Sequence, residues 1–271
     1  MYSGFVTYKS SRVHYSCFGT GSTILVCLHG YGESEQSFHF LEKYLPNDYK
    51  AIAIDFPHHG KTEWNENEPV TAYDLIVILE KISDEQALEL SNFQLLGFSM
   101  GGRVALQITQ QVPSQVKQLT LLAPDGLKVN FWYWLATQTW IGLRLFHFTM
   151  KHPQWFRWML QAGKKLGLVN LSIYKFTQYY IHDKTVRRQL FDRWTCMRKI
   201  KPKLTLVKKY IHDLRIPVQL VYGEYDRIIR HERGEKFKAG IEPYCTLQII
   251  PSGHQLLQEK HAGLVIKLIQ S

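Results

Sequence analysis

Short apolar runs recur along the chain, and most are followed by a stretch of helical period. Thr23–Leu28, Lys50–Asp55, Asn92–Leu96, Val116–Leu122, Ile216–Tyr222 and Thr246–Ile250 are five to seven residues long, predominantly apolar, and bounded by polar or turn residues. That pattern predicts strands buried on both faces. Phe5–Tyr8 and Val13–Phe18 predict a pair of strands around a Ser-Ser turn. Between the runs, Ser37–Leu45, Thr71–Ile82, Arg103–Gln111 and Arg230–Ala239 predict helices, and Leu256–Ile269 predicts a closing one, with Leu257, His261, Leu264 and Leu268 on one face. Strands alternating with helices imply α/β architecture: a mostly parallel sheet covered by helices on both faces.

The alternation stops at Gly126 and resumes at Ile216. Within residues 126–212 the chain carries seventeen lysines and arginines against two acids, Asp183 and Asp192, a formal charge of +15. The other residues carry sixteen basic and twenty-one acidic groups, or −5. Seventeen of the thirty-six aromatic residues fall in the same segment. So abrupt a shift marks an inserted unit, giving residues 1–125 and 213–271 as one domain and 126–212 as another. Its sketched helices are Phe131–Phe148, Pro153–Leu166, Leu171–His182, Lys184–Arg198 and Pro202–His212.

The remaining composition is that of an ordinary folded chain of 271 residues, 45% hydrophobic. The four cysteines (Cys17, Cys27, Cys196 and Cys245) have neither paired nor metal-ligand spacing and read as reduced thiols. There is no signal-like N-terminal run and no apolar stretch of about 18 residues, so the expectation is a soluble cytoplasmic protein.

Candidate chemistry gathers at the ends of the predicted strands. Gly97-Phe98-Ser99-Met100-Gly101 has the form Gly-x-Ser-x-Gly and lies between a strand and a helix. A sharp turn there lifts a serine hydroxyl above the sheet edge, and the glycines let strand and helix close together. Asp226 and His254 also follow strands. A serine hydroxyl is a weak nucleophile until an imidazole takes its proton, and the imidazole needs a carboxylate to fix its tautomer. The set Ser99, Asp226, His254 therefore reads as a catalytic triad, with Asp125 the alternative acid. Backbone N–H groups of Met100 and Tyr31 are the expected oxyanion donors. His29 ends a strand and reads chiefly as structural, with substrate contact as the other option; His58 and His59 read as loop residues, and Asp55 as an acceptor for N–H groups of its own loop.

These motifs resemble the α/β-hydrolase fold. His-Gly at 29–30, Asp-Phe-Pro-His-His-Gly at 55–60, Gly-Phe-Ser-Met-Gly-Gly at 97–102, Tyr-Gly-Glu-Tyr-Asp at 222–226 and Gly-His at 253–254 follow the family's order along nearly the whole chain. The chain departs from the pattern at His58, where the family usually carries glycine. The resemblance implies that 126–212 is a helical cap, that no cofactor or metal is needed, and that a serine-based ester hydrolase is the leading function. Serine at position 99 is unlike the aspartate of related epoxide hydrolases and dehalogenases. A carbon–carbon bond hydrolase or lyase using the same triad is the alternative: Gly-Gly-Arg at 101–103 is similar to the menaquinone-pathway lyase of this fold, which acts on an anionic substrate. A ligand-binding protein on a retained scaffold is a further one. Arg103, Trp132 and Trp194 are the other candidates for substrate contact, Arg103 reading chiefly as a helix residue bonded to nearby loops. The basic segment fits a solvated face, an acidic carrier protein (the cap arginines resemble those of pimeloyl-carrier methyl esterases), an anionic small substrate or an anionic membrane surface. Nucleic acid is disfavoured because no recognition module is present.

Overall fold

The computed structural model describes residues 1–128, 131–167, 174 and 180–271. The chain divides into two compact units, Met1–Lys128 with Lys199–Ser271, and Val129–Arg198.

The first unit is built on an eight-stranded sheet: β1 (Tyr2–Tyr8), β2 (Ser11–Gly19), β3 (Thr23–Leu28), β4 (Tyr49–Ile54), β5 (Phe93–Phe98), β6 (Val116–Leu122), β7 (Val218–Gly223) and β8 (Cys245–Ile250). Its spatial order is β1-β2-β4-β3-β5-β6-β7-β8. β1 and β2 form an antiparallel hairpin, β2 runs antiparallel to β4, and every later pairing is parallel. The chain thus leaves β3 on one side to form β4 and returns to its other side as β5. In such sheets ligands bind beyond the strands' C-terminal ends, near the reversal. The central strands are sealed on both faces: Leu25, Val26, Cys27, Leu28, Leu95, Leu96, Leu119 and Leu121 have no exposed surface. All four cysteines are buried free thiols, and burial pushes those of Cys17 and Cys245 up to about 11.

Helices α1 (Ala72–Glu85) and α2 (Met100–Gln111) belong to this unit. Thr71 and Asp74 start α1 with a reciprocal capping box, the Thr71 hydroxyl accepting from the Asp74 N–H and the Asp74 carboxylate from the Thr71 N–H.

The second unit contains α3 (Phe131–Gln138), α4 (Trp140–Lys151), α5 (Gln154–Lys165) and α6 (Lys184–Cys196). The single helix expected over 131–148 is two. Thr139 is extended, with φ −104° and ψ 144°, and its hydroxyl caps α4 by accepting from the Gly142 N–H at 2.9 Å. The corner is so tight that a Cβ on Gly142 would stand 1.8 Å from the Leu135 carbonyl oxygen. The expected helix over 171–182 lies largely outside the described residues. An aromatic cluster fills the unit: Phe146 packs on Phe191 and Trp194, with ring centroids 5.2 and 5.6 Å apart, and Tyr133 meets Trp194 edge-on at 5.1 Å.

The second compact unit ends at Arg198, whereas the sequence pattern puts the end of the insert at 212. α7 (Leu204–Leu214) belongs to the first unit and packs on α2, with Val207 and Ile211 wholly buried. The side chains of Gln107 and Gln110 on α2 accept the backbone N–H groups of Lys201 and Lys203, at 2.9 and 2.7 Å. Positive charge continues through Lys199, Lys201, Lys203, Lys208 and Lys209. Composition alone therefore placed these residues with the insert, although their apolar partners lie on the sheet domain. The remaining helices are α8 (Glu232–Lys238) and α9 (Ala262–Ile269). The closing helix is shorter than the period predicted, because Leu256 and Leu257 bury their side chains from a loop.

Candidate active site

Loops leaving β5, β7 and β8 bring Ser99, Asp226 and His254 together. Ser99 follows β5 in a backbone conformation that an L-residue rarely adopts, φ 49° and ψ −112°. Three main-chain bonds hold it there: its N–H donates to Leu122 O at 2.9 Å, and its carbonyl accepts from Gly102 at 3.0 Å and Asp125 at 2.8 Å. The flanking glycines have no room for a side chain. A Cβ on Gly97 would lie 2.8 Å from the Gly101 carbonyl, and one on Gly101 would lie 1.8 Å from that of Leu28.

His254 stands between the other two groups. Its Nδ1 is 2.7 Å from Asp226 Oδ2 and its Nε2 is 3.1 Å from Ser99 Oγ. A carboxylate only accepts, so Nδ1 carries the proton and Nε2 accepts the serine O–H. The other Asp226 oxygen, Oδ1, accepts the N–H groups of Ile228 at 2.7 Å and Ile229 at 2.9 Å. Burial alone would raise the Asp226 carboxyl. The His254 imidazole and the two N–H donors outweigh it and hold the group below the usual carboxylate range. Asp125, the alternative acid, lies elsewhere: Oδ1 accepts its neighbour Gly126's N–H and Oδ2 faces Arg103 at 3.6 Å.

The expected oxyanion donors sit on adjoining segments. Leu28 pairs with Gly97 in parallel register, so the loop beginning at His29 emerges beside the serine turn. Met100 is the first residue of α2, whose N-terminus abuts that loop through Gly101. His29 is fully buried and shapes the loop: Nδ1–H donates to Gly30 O at 2.7 Å, and Nε2 accepts the Phe56 N–H at 3.1 Å. Tyr31 follows and meets His59 edge-on, with centroids 5.9 Å apart.

The other candidates for substrate contact occupy packing or surface positions. Arg103 is buried on α2 and pairs with Asp125. Trp194 belongs to the aromatic cluster of the helical unit, and Trp132 is exposed on α3. Asp55 accepts N–H groups of Glu35 and Lys61, at 2.7 and 2.9 Å, as its loop position implied. His58 has φ 62°, which explains why glycine is common at that position in the family.

Two arrangements escaped the sequence reading. Glu33 ties the His29 loop to the His254 loop: one carboxylate oxygen accepts the Gly30 N–H at 3.0 Å and the other the Gln255 amide at 2.6 Å. Under the sheet's antiparallel edge, His14, Glu35 and Asp55 bring ligand-type atoms within 4.8 Å of one another, all buried. Their valences are met by protein groups. His14 bonds Asp55 at 2.9 Å and Ser3 at 2.9 Å, and Glu35 accepts from Ser16 at 2.9 Å and also pairs with His39. The donor set is an internal polar clasp rather than an open coordination site.

An open, mostly parallel sheet with a serine, a histidine and an aspartate meeting past its strand ends defines the class to which hydrolases of acyl compounds belong. The pattern of the alpha/beta hydrolase fold family matches residues 23–261, and the chain belongs to that family. An uncharacterized hydrolase of Bacillus subtilis is 26% identical, the alignment covering 94% of this chain and 92% of the relative. Monoacylglycerol lipase abhd6-B of Xenopus laevis is 23% identical, covering 96% and 77%. Among solved structures, an esterase from Thermogutta terrifontis superposes with a TM-score of 0.69 at 15% identity, covering 100% of this chain and 98% of the other.

Proposed function

We propose that the chain hydrolyses carboxylic esters through an acyl-enzyme on Ser99. The observation that carries this reading is the continuous hydrogen-bonded line from Ser99 Oγ through His254 to Asp226. In the proposed cycle Ser99 Oγ attacks the ester carbonyl while His254 Nε2 takes its proton. The N–H groups of Met100 and Tyr31 receive the developing oxyanion. His254 then protonates the departing alcohol and later draws a proton from the water that releases the acid. Asp226 holds the tautomer and stabilises the imidazolium. Every acid–base step is supplied by these side chains, and the burial of Asp226 keeps its charge close to the imidazole.

The similarity to an esterase and to a monoacylglycerol lipase supports an ester as substrate. The test is hydrolysis of p-nitrophenyl acyl esters of increasing chain length by the wild type beside Ser99→Ala. Turnover by the wild type and none by Ser99→Ala is the expected result, and the chain-length optimum sizes the acyl site. Fluorophosphonate labelling of Ser99 without turnover of any ester would replace the ester with another acyl or carbon–carbon substrate. Absence of labelling would remove the nucleophile.

A further inference from the structure

The helical unit exposes large apolar side chains on two packed helices, α3 and α4. α4 buries one side and exposes large apolar side chains on the other. Its inner side, Gly142, Phe146 and Thr149, packs within the unit. Its outer side carries Trp140, Ile141, Leu145 and Phe148, which are 67, 71, 50 and 51% exposed. Helix α3, packed against α4, adds Phe131 and Trp132 at 60 and 72%. Large apolar side chains exposed together along one side of a helix mark an interaction surface.

The segment that carries these side chains is basic. Residues 129–198 hold eleven lysines and arginines against two acids, a formal +9. Both acids serve local needs: Asp183 caps α6 by accepting the Val186 N–H at 2.9 Å, and Asp192 faces Arg188 at 3.5 Å. Arg144 lies on the outer side of α4 itself, its guanidinium 4.1 Å from the Trp140 ring. Outward indoles interleaved with cations suit the boundary between anionic headgroups and acyl chains. α4 has twelve residues, about 18 Å of helix, too short to cross a bilayer, and no described helix is long and apolar enough to do so. A second copy of the chain is a poor occupant, since the two basic faces repel. An acidic protein would satisfy the cations but leave the outward hydrocarbon of Ile141, Leu145 and Phe148 without a matching phase.

We propose that the outer face of α3 and α4 docks in the plane of an anionic lipid surface, drawing the protein to membrane-partitioned substrates. The docking itself does not depend on the ester-hydrolase reading. The experiment is co-sedimentation of the full chain with vesicles of phosphatidylcholine alone or mixed with phosphatidylglycerol. It compares wild type, Ser99→Ala and the double variant Trp140→Ser/Ile141→Ser, with thermal melts of each. Wild type and Ser99→Ala are expected to bind the anionic vesicles equally and to release as salt is raised. The double variant is expected to bind at least about tenfold more weakly with an unchanged melt, because the residues it alters are exposed. Tryptophan emission of the wild type should shift to the blue on binding. Failure to bind the anionic vesicles, equal binding to neutral ones, or a stable dimer by light scattering that buries the patch would each overturn the proposal. Vesicle binding by Ser99→Ala together with an inert wild type in ester assays would leave docking standing and remove the ester reading alone.

Discussion

Replacing Asp226 by asparagine isolates the carboxylate's chemical role from its structural one. Its two oxygens have different partners: Oδ1 accepts the N–H groups of Ile228 and Ile229, and Oδ2 accepts His254 Nδ1–H. An asparagine side chain fits the same space with one accepting and one donating end. The two main-chain donors decide its orientation, because an amide NH2 at the Oδ1 position would face two N–H groups. The amide oxygen therefore keeps the Oδ1 place, and the NH2 points at His254. It is received only by an unprotonated Nδ1, which moves the imidazole proton to Nε2. That nitrogen, 3.1 Å from Ser99 Oγ, then donates to the serine and no longer accepts its proton. The loss expected for this wrong tautomer is about 10⁴ in kcat, or about 5.4 kcal/mol of transition-state stabilisation at 1.36 kcal/mol per tenfold. The melting temperature should stay close to that of wild type, since both main-chain bonds survive. Asp226→Ala instead strips the acceptor from the buried Ile229 N–H, at a cost of about 1–3 kcal/mol. The assay is kcat/KM on a short p-nitrophenyl ester with active-site titration, beside nitrogen-15 NMR of the His254 ring. An Asp226→Asn enzyme within tenfold of wild type, or one whose Nδ1 stays protonated, would refute the reasoning.

Three further outcomes are expected. Gly101→Ala pushes a methyl group to 1.8 Å from the Leu28 carbonyl oxygen, so the start of α2 must move off the neighbouring loop; a displacement near 1 Å should cost about a hundredfold in kcat, read against a retained circular dichroism spectrum, and undiminished turnover would contradict it. His58→Gly relieves a left-handed conformation at φ 62° and should stabilise the fold by about 0.5–1 kcal/mol, measured by urea titration. Asp74 in the α1 capping box is raised by burial, but bonds from Thr71, Tyr8 and Lys9 outweigh that and hold it below its ordinary value. A folded pKa below the unfolded one contributes stability that is complete above the unfolded value, about 4, and is lost as the pH falls through the folded one. Asp74→Asn should therefore lower stability by about 1 kcal/mol at neutral pH, with variant and wild-type melts converging in acid; a gap that persists there would sink the assignment.

The sheet was legible because burial on both faces leaves a plain mark. β3, β5 and β7 are runs in which most residues are apolar, β6 is apolar over its second half, and each ends at a polar or glycine-containing loop. In a parallel sheet those loops share one edge, so the positions of Ser99, Asp226 and His254 in the chain already implied that they meet. Their distances did not follow from the pattern. The glycines around Ser99 were readable in the same way, as places where a strand and a helix approach too closely for a Cβ.

Local period was a poorer guide where tertiary contacts decide the outcome. The closing helix begins at Ala262, not Leu256, because the residues after His254 run as a loop from which Leu256 and Leu257 reach the core. Charge was likewise a poor guide to the lower end of the insert, where the buried side of α7 sets the boundary and its lysines do not. Glu33 shows the limit most plainly. Nothing near it in sequence distinguishes it from an ordinary surface acid, yet its carboxylate joins Gly30, three residues away, to Gln255, 222 residues away. That single bridge links the loop expected to hold the oxyanion to the loop that presents the imidazole. In the proposed cycle the two need a common frame, because the oxyanion and the proton transfer would arise on one reacting carbonyl, and a misplacement of about 1 Å is costly there. The proposed triad is a matter of which residues end which strands; its alignment is a matter of contacts between loops that only the folded chain brings together.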